Sequence, residues 1–263
     1  MAALVRGCHP EPTVAVTAIT TLLAHTAGAR TGWVAAAFLS GQLATGWSND
    51  WVDSDRDVRT ARADKPVVQG RLAPRTLLVA AAVALVLCVP LSLAMGTYAG
   101  ILHLLAVASA LSYNAGLKGT PLSWAPYALS FGLIPSIVTH GAGHGWAAPS
   151  VSAAGALLGI GAHLANALPD LADDEATGVR GLPHRLGAGP AAALAVVLLL
   201  AATALLAAGA GRRGGVALGV AAVVTVGGLV LARRPGSRAA FLAVIVVAAV
   251  DVALLLTRGA SLG

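Results

Sequence analysis

Apolar residues run through this chain in long blocks broken by short polar stretches, and nowhere do they alternate as in a half-buried strand. Nine blocks can be delimited: 12–28, 33–50, 76–95, 97–115, 121–140, 150–169, 189–209, 215–232 and 239–257. At a rise of about 1.5 Å per residue, stretches such as Thr76 to Met95 and Ala191 to Ala210 can cross a hydrocarbon layer of about 30 Å as helices. The pattern predicts an all-α membrane protein: a bundle of nine transmembrane helices forming one domain over residues 1–263. A membrane β-barrel is excluded by the absence of alternation.

Composition strengthens this reading: 57% of the 263 residues are hydrophobic and only 11% charged, against about 25% charged in soluble domains. The positions of the bases set the expected orientation. An odd number of spans puts the termini on opposite sides. Assigned alternately, the side of the N-terminus receives Arg6, the run Arg56, Arg59, Arg62, Lys65, Arg71 and Arg75, then Lys118, Arg180, Arg185, Arg233, Arg234 and Arg238. The other side receives Arg30, Arg212, Arg213 and Arg258. The positive-inside rule then makes the N-terminus cytoplasmic in a multi-pass protein of the cell membrane. The net charge of +6 is accounted for by this topology, so no nucleic-acid partner is expected, and no obligate protein partner is inferred. Thr26 to Ala29 loosely resembles a signal-peptidase site, but one Arg and two prolines precede it, and an uncleaved first helix is expected. Cys8 and Cys88 lie far apart and suggest neither a disulfide nor a metal site.

Two of the connections on the basic side are long, 51–75 and 170–188, and a short one spans 116–121. Each long one follows a cluster of acids in the register Asn-x-x-x-Asp-x-x-x-Asp, with Asn49, Asp53 and Asp57 in the first and Asn166, Asp170 and Asp174 in the second. Asp50 joins the first. At about 100° per residue, each set falls within a wedge of roughly 100° on its helix. A single acidic run at a helix end is ordinarily a solvated terminus. Two in one register, in a chain nearly free of acids elsewhere, point to function. Asp55, Asp64 and Glu175 fall outside the wedges and read as solvated, and Asp173 lies near the second wedge but off its register.

Stacked carboxylates repel one another, and a divalent cation relieves them. Mg²⁺ suits carboxylate oxygens and commonly completes its shell with substrate phosphates. Bases follow the acids at Arg56, Arg59, Arg62, Lys65, Lys118, Arg180 and Arg185. Acids and bases together imply a polyanion bridged by metal, with Lys or Arg neutralising charge on a departing diphosphate.

At these residues the chain resembles the UbiA superfamily of intramembrane prenyltransferases. Asn49-Asp50-x-x-Asp53-x-x-x-Asp57 fits that family's first motif, and Asp64-Lys65-Pro66-Val67-Val68-Gln69-Gly70 its basic-Pro-x-x-x-Gly loop. Asp170-x-x-x-Asp174, with Gly178 after it, resembles the second motif, and Tyr113 to Lys118 the Tyr and Lys element between them, one residue longer than its tightest form. The resemblance implies a bundle around a central cavity, with a prenyl diphosphate donor bound through Mg²⁺ at the cytoplasmic rim. It implies that Asp50, Asp53 and Asp57, assisted by Asn49, hold one Mg²⁺, and that Asp170 and Asp174, below Asn166, hold a second. Arg62, Lys65, Lys118 and Tyr113 are then expected at the diphosphate. Lys65 stands where many members have Arg, and the segment after Gly178 lacks a common Thr.

The activity this implies is Mg²⁺-dependent transfer of an isoprenoid group from its diphosphate to a small or lipidic acceptor in the bilayer. Two alternatives stay open: a membrane terpene cyclase of the same family, and a cation-coupled secondary transporter, whose acids would sit nearer mid-membrane. His163 shares the wedge of Asp170 and Asp174; helix packing is its first expected role and proton acceptance its second. Trp47, Trp51, Trp124 and Trp146 suit interfacial belts, and Asp251 in the last block is expected to snorkel or pair locally.

Overall fold

The computed structural model of the chain describes residues 2–60, 65–208, 210–232, 237 and 239–257. Their regular structure is helical. The order is α1 (Ala2–Gly7), α2 (Pro10–Thr26), α3 (Thr31–Arg59), α4 (Pro74–Leu93), α5 (Thr97–Asn114), α6 (Ala125–Gly141), α7 (Pro149–Ala167), α8 (Leu171–Ala176), α9 (Leu182–Leu186), α10 (Ala188–Ala207), α11 (Gly211–Ala232) and α12 (Ala239–Thr257). Short 3₁₀ turns at Leu117–Gly119 and Leu168–Asp170 lie between them. Each hydrophobic block is thus matched by one long helix among the described residues. Four helices, Pro74–Leu93, Pro149–Asp170, Ala188–Ala207 and Gly211–Ala232, are long and apolar enough to cross a membrane.

Helix starts follow the prolines. Pro10, Pro74, Pro126 and Pro149 occupy first-turn positions of α2, α4, α6 and α7, where the missing N–H costs nothing and φ is already helical. The hydrophobic block is bounded at 50, but α3 runs on to Arg59, as the helical wedge of Asp53 and Asp57 requires, because no Gly or Pro interrupts the polar stretch and Asp53 pairs with Arg56 one turn on. All the acids of the first register therefore lie on one unbroken helix.

Neighbours in sequence pack together. The α3 helix lies against α2, α4 and α5, α7 against α6, α10 and α12, and α12 returns to α2. Small residues set the closest approaches. A Cβ on Gly155 or Gly159 of α7 would stand 2.6 Å from the Phe131 carbonyl oxygen or 2.5 Å from that of Tyr127, so this glycine pair lets α6 and α7 touch backbone to backbone, as small-residue stripes do in membranes. Large apolar side chains on α4 (Val79, Val83, Val86) and α11 (Val216, Val223, Val230) are exposed instead. Outward apolar stripes of that kind fit contact with lipid tails, and the chain is an integral membrane protein.

Candidate functional site

The polar end of α3 is buried. Asp50, Asp53 and Asp57 retain 3%, 6% and 2% of their exposure, and buried carboxylates are sustained only with charged or hydrogen-bonding partners. The partners come from distant parts of the chain. Asp50 Oδ1 lies 2.8 Å from His9 Nε2 and 2.6 Å from Lys65 Nζ. Asp53 Oδ1 accepts from Lys118 Nζ, and its Oδ2 lies 3.0 Å from an Arg56 guanidinium nitrogen. Asn49 is half-buried one position before Asp50.

The second acidic segment is built differently. Pro169 supplies no N–H, and α7 stops at Ala167; a 3₁₀ turn ending at Asp170 then leads into α8, which carries Asp174. The expectation that Asn166, Asp170 and Asp174 share one α-helical wedge is corrected here, since a 3₁₀ turn advances about 120° per residue rather than 100°. Asn166 is exposed, while Asp170 and Asp174 are half-buried. Gly178, at φ +84°, ends α8; its N–H bonds to the Glu175 carbonyl and that of Val179 to the Asp174 carbonyl. Asp55, Asp173 and Glu175 are exposed, and the Glu175–Arg180 pair at 3.7 Å lies in solvent, where such a contact contributes little.

The two segments nevertheless face one cleft. The Arg56 nitrogen that contacts Asp53 is 3.8 Å from Asp174 Oδ1, and His184 Nε2 is 3.4 Å from Asp174 Oδ2. Burial, aided by the negative charge of Asp170 and opposed by Arg56, holds the Asp174 carboxyl above the usual carboxylate range. Burial likewise pushes the Lys118 ammonium down, against the pull of Asp53.

Beneath the charged groups lies an aromatic layer. The Tyr113 ring meets Tyr127 and His163 edge-on at 5.2 and 5.6 Å, Tyr127 lies 4.8 Å from His163, and Phe131 stacks on Tyr127 at 6.3 Å. His163 is buried, with Nε2 3.0 Å from the Ser123 hydroxyl, which accepts the Leu182 N–H at 2.9 Å. Its first expected role, packing, is the one this geometry serves. Gly181 completes the contact, because a Cβ there would stand 2.5 Å from the Lys118 carbonyl oxygen. The loops carrying Lys118 and Asp174 are thereby pressed together. Arg62 and Asp64 lie outside the described residues.

Among the described residues, no group of three or more His, Cys, Asp or Glu side chains is gathered as a metal site. The donor chemistry nonetheless fits Mg²⁺: hard carboxylate oxygens on two walls of a cleft, too few for a complete protein cage, which is the incomplete shell this ion takes when phosphate supplies the remainder.

The profile of the UbiA prenyltransferase family matches residues 2–240. The chain belongs to that family. Solved structures agree in fold. A UbiA homologue from Aeropyrum pernix K1, in its apo form, is 22% identical with a TM-score of 0.72, covering 94% of this chain and 98% of its own. One from Archaeoglobus fulgidus, bound to GPP and Mg²⁺, is 15% identical with a TM-score of 0.72, covering 96% and 97%. A digeranylgeranylglyceryl phosphate synthase is 15% identical with a TM-score of 0.66, covering 98% of each chain. A search of curated protein sequences returns no match.

Three contributors to this UbiA-family rim were not singled out by sequence reasoning. His9 reaches Asp50 from the start of α2, where it holds φ +55°, and a histidine 41 positions from its partner leaves no local signal. Arg56 stood among several bases as a possible phosphate ligand, but its place between the acidic segments depends on how α3 and α8 meet. His184 has a buried side chain, and neither ring nitrogen has a hydrogen-bond partner among the described residues; nothing in Pro183-His184-Arg185 announces it.

Proposed function

We propose that this protein is a prenyltransferase that takes an isoprenoid group from its diphosphate and delivers it to a small or lipidic acceptor within the bilayer. The observation that carries the reading is Arg56, which contacts carboxylates of both acidic segments and so makes them walls of one cleft. Asp50, Asp53 and Asp57, with Asn49 beside them, and Asp170 and Asp174, with Asn166 above, are the residues that would hold Mg²⁺; when bound, the ion supplies positive charge to the diphosphate oxygens. The Archaeoglobus homologue bound to GPP and Mg²⁺ supports the choice of ion.

Lys65, Lys118 and Arg56 are paired with the acids. When a diphosphate arrives they can exchange a carboxylate partner for a phosphate oxygen, so that charge on the departing group meets cations already positioned. Arg62 is assigned to the same task from its place in the motif. The Tyr113, Tyr127 and His163 rings exclude water beneath the diphosphate, and their π faces favour a nearby cationic carbon. Ser123 and His163 position the loops and do not react. We further infer that all nine long helices span the bilayer as one domain, with the N-terminus and the rim on the cytoplasmic side, as the distribution of Lys and Arg requires.

The test is turnover by purified protein in detergent, where no gradient exists to drive transport. Dimethylallyl, geranyl, farnesyl and geranylgeranyl diphosphates are each supplied with Mg²⁺, alone and with a panel of lipidic and aromatic acceptors. Acceptor-dependent release of diphosphate, abolished by EDTA, is expected. Cyclic hydrocarbon formed without acceptor would reassign the protein as a cyclase, and no diphosphate release from any donor would overturn the enzymatic reading.

A further inference from the structure

Between α2, α6, α7, α10 and α12 lies a cavity of about 90 Å³, walled by apolar side chains that include Leu23, Phe131, Leu158 and Leu206. Val16 and Ile19 on its wall are half-buried. One ionisable residue lines it. Asp251 of α12 is 5% exposed; of its two expected arrangements, snorkelling and local pairing, it takes the second, staying inside beside the Thr203 hydroxyl. Its Oδ1 has no hydrogen-bond partner among the described residues. Thr20, the other polar lining residue, donates its hydroxyl to the carbonyls of Val16 and Thr17 at 2.8 and 3.1 Å.

An acceptor oxygen left open in an apolar wall is a strong requirement on whatever fills the space, because a buried polar group without a partner is costly. A hydrocarbon alone leaves the requirement unmet. A water molecule needs two to four polar partners, and the lining offers Asp251 and little else. An ammonium would bring a second charge into hydrocarbon. A hydroxyl meets the requirement with one neutral donor while its chain covers the apolar wall.

We propose that this cavity is a binding site for a small apolar alcohol, with Asp251 Oδ1 accepting the hydrogen bond from its hydroxyl. The site involves none of the rim residues, and its occupancy does not depend on prenyl transfer.

A diazirine-bearing octanol is crosslinked to the full chain in lipid nanodiscs, with EDTA present and no prenyl diphosphate, and the labelled peptides are identified by mass spectrometry. Label is expected in the segments of α2, α6 and α12 that line the cavity. Displacement by 1-octanol should need an about tenfold lower membrane concentration than displacement by methyl octyl ether, which has the same chain without a donor. Asp251→Leu should remove that preference, Asp251→Asn, which keeps a carbonyl acceptor, should retain most of it, and Val16→Trp, which fills the cavity, should abolish labelling. Equal competition by alcohol and ether in the unaltered protein overturns the proposal, as would a bound water satisfying Oδ1. Label confined to other segments, or a preference that survives Asp251→Leu, overturns it too. The comparison in the unaltered protein stands even if a variant does not fold.

Discussion

The two acidic segments share a spacing of Asn and Asp but not a way of holding it. On α3 the carboxylates rise from an unbroken helix, are buried, and are met by His9 from the start of α2, by Lys65 and by Lys118 from its 3₁₀ turn. After α7 the backbone changes type at Pro169, Asp170 and Asp174 sit on two different short elements, and both are half-buried. One wall is therefore fixed by ion pairs that also join separate parts of the fold, whereas the other hangs on a turn and a six-residue helix. Identical patterns in sequence produce a rigid wall and a less constrained one, and substitutions in the two should be felt differently.

The largest difference is expected at Asp53. Asp53→Asn keeps the shape and one acceptor oxygen but removes the charge that meets Lys118 and Arg56; turnover should fall by about a thousandfold, the scale seen when a group that stabilises transition-state charge is lost. Diphosphate release measures this, and circular dichroism checks that the helices persist. Activity within tenfold of the unaltered protein would remove α3 from the reacting end. Stability should report the same asymmetry. Asp50→Ala strands Lys65 and His9 and should cost about 3 kcal/mol, as breaking buried pairs does, while Asp174→Ala should cost less than about 1 kcal/mol because its contacts, at 3.8 and 3.4 Å, are longer. Unfolding temperatures of the purified variants distinguish the two.

Asp174→Asn ranks next in its effect on activity. Its carboxylate faces Arg56 across the cleft without being the centre of an ion-pair network, and turnover should drop by about a hundredfold. A loss as deep as that of Asp53→Asn would mean that the two walls contribute alike and that their structural difference has no catalytic consequence.

What could be read without a structure follows from the range of the interactions. The helical blocks were legible because apolar length is local, and the acids stood out because such residues are scarce in this chain. The continuation of α3 past the block boundary at 50 was legible only through the helical wedge of Asp53 and Asp57, since block boundaries track hydropathy, whereas the helix follows backbone propensity and the Asp53–Arg56 pair. Pro169 was visible in Asn166-Ala167-Leu168-Pro169-Asp170, yet even spacing suggested a continuous helix, and the choice of a 3₁₀ turn is made by packing. His9 and His184, and Arg56 in its contact with Asp174, gained their places from contacts between remote segments, which spacing along one helix does not encode.

Pro169→Ala tests the turn itself. Restoring an N–H and lifting the steric restriction lets α7 continue as α-helix through Asp170, which would rotate Asp170 and Asp174 relative to Asp53. An about tenfold fall in kcat/KM is expected with little change in unfolding temperature, in keeping with the cost of small misplacements in a preorganised site. An unchanged rate would mean that the second wall tolerates either backbone.

The smallest effect should come from Gly181→Ala, which touches no charged group. Its Cβ would stand 2.5 Å from the Lys118 carbonyl oxygen and 2.9 Å from the Ser123 hydroxyl, so the loop after α8 must move off the loop that carries Lys118. Because the displacement separates Lys118, the proposed diphosphate ligand, from the Asp174 wall without altering either side chain, binding should suffer more than chemistry. KM for the prenyl diphosphate should rise by about threefold to tenfold with kcat nearly constant, the signature of lost uniform binding. Should kcat fall instead while KM holds, the contact between the two loops aligns the reacting groups, and the less constrained wall is set by its neighbour as firmly as α3 is set by its ion pairs.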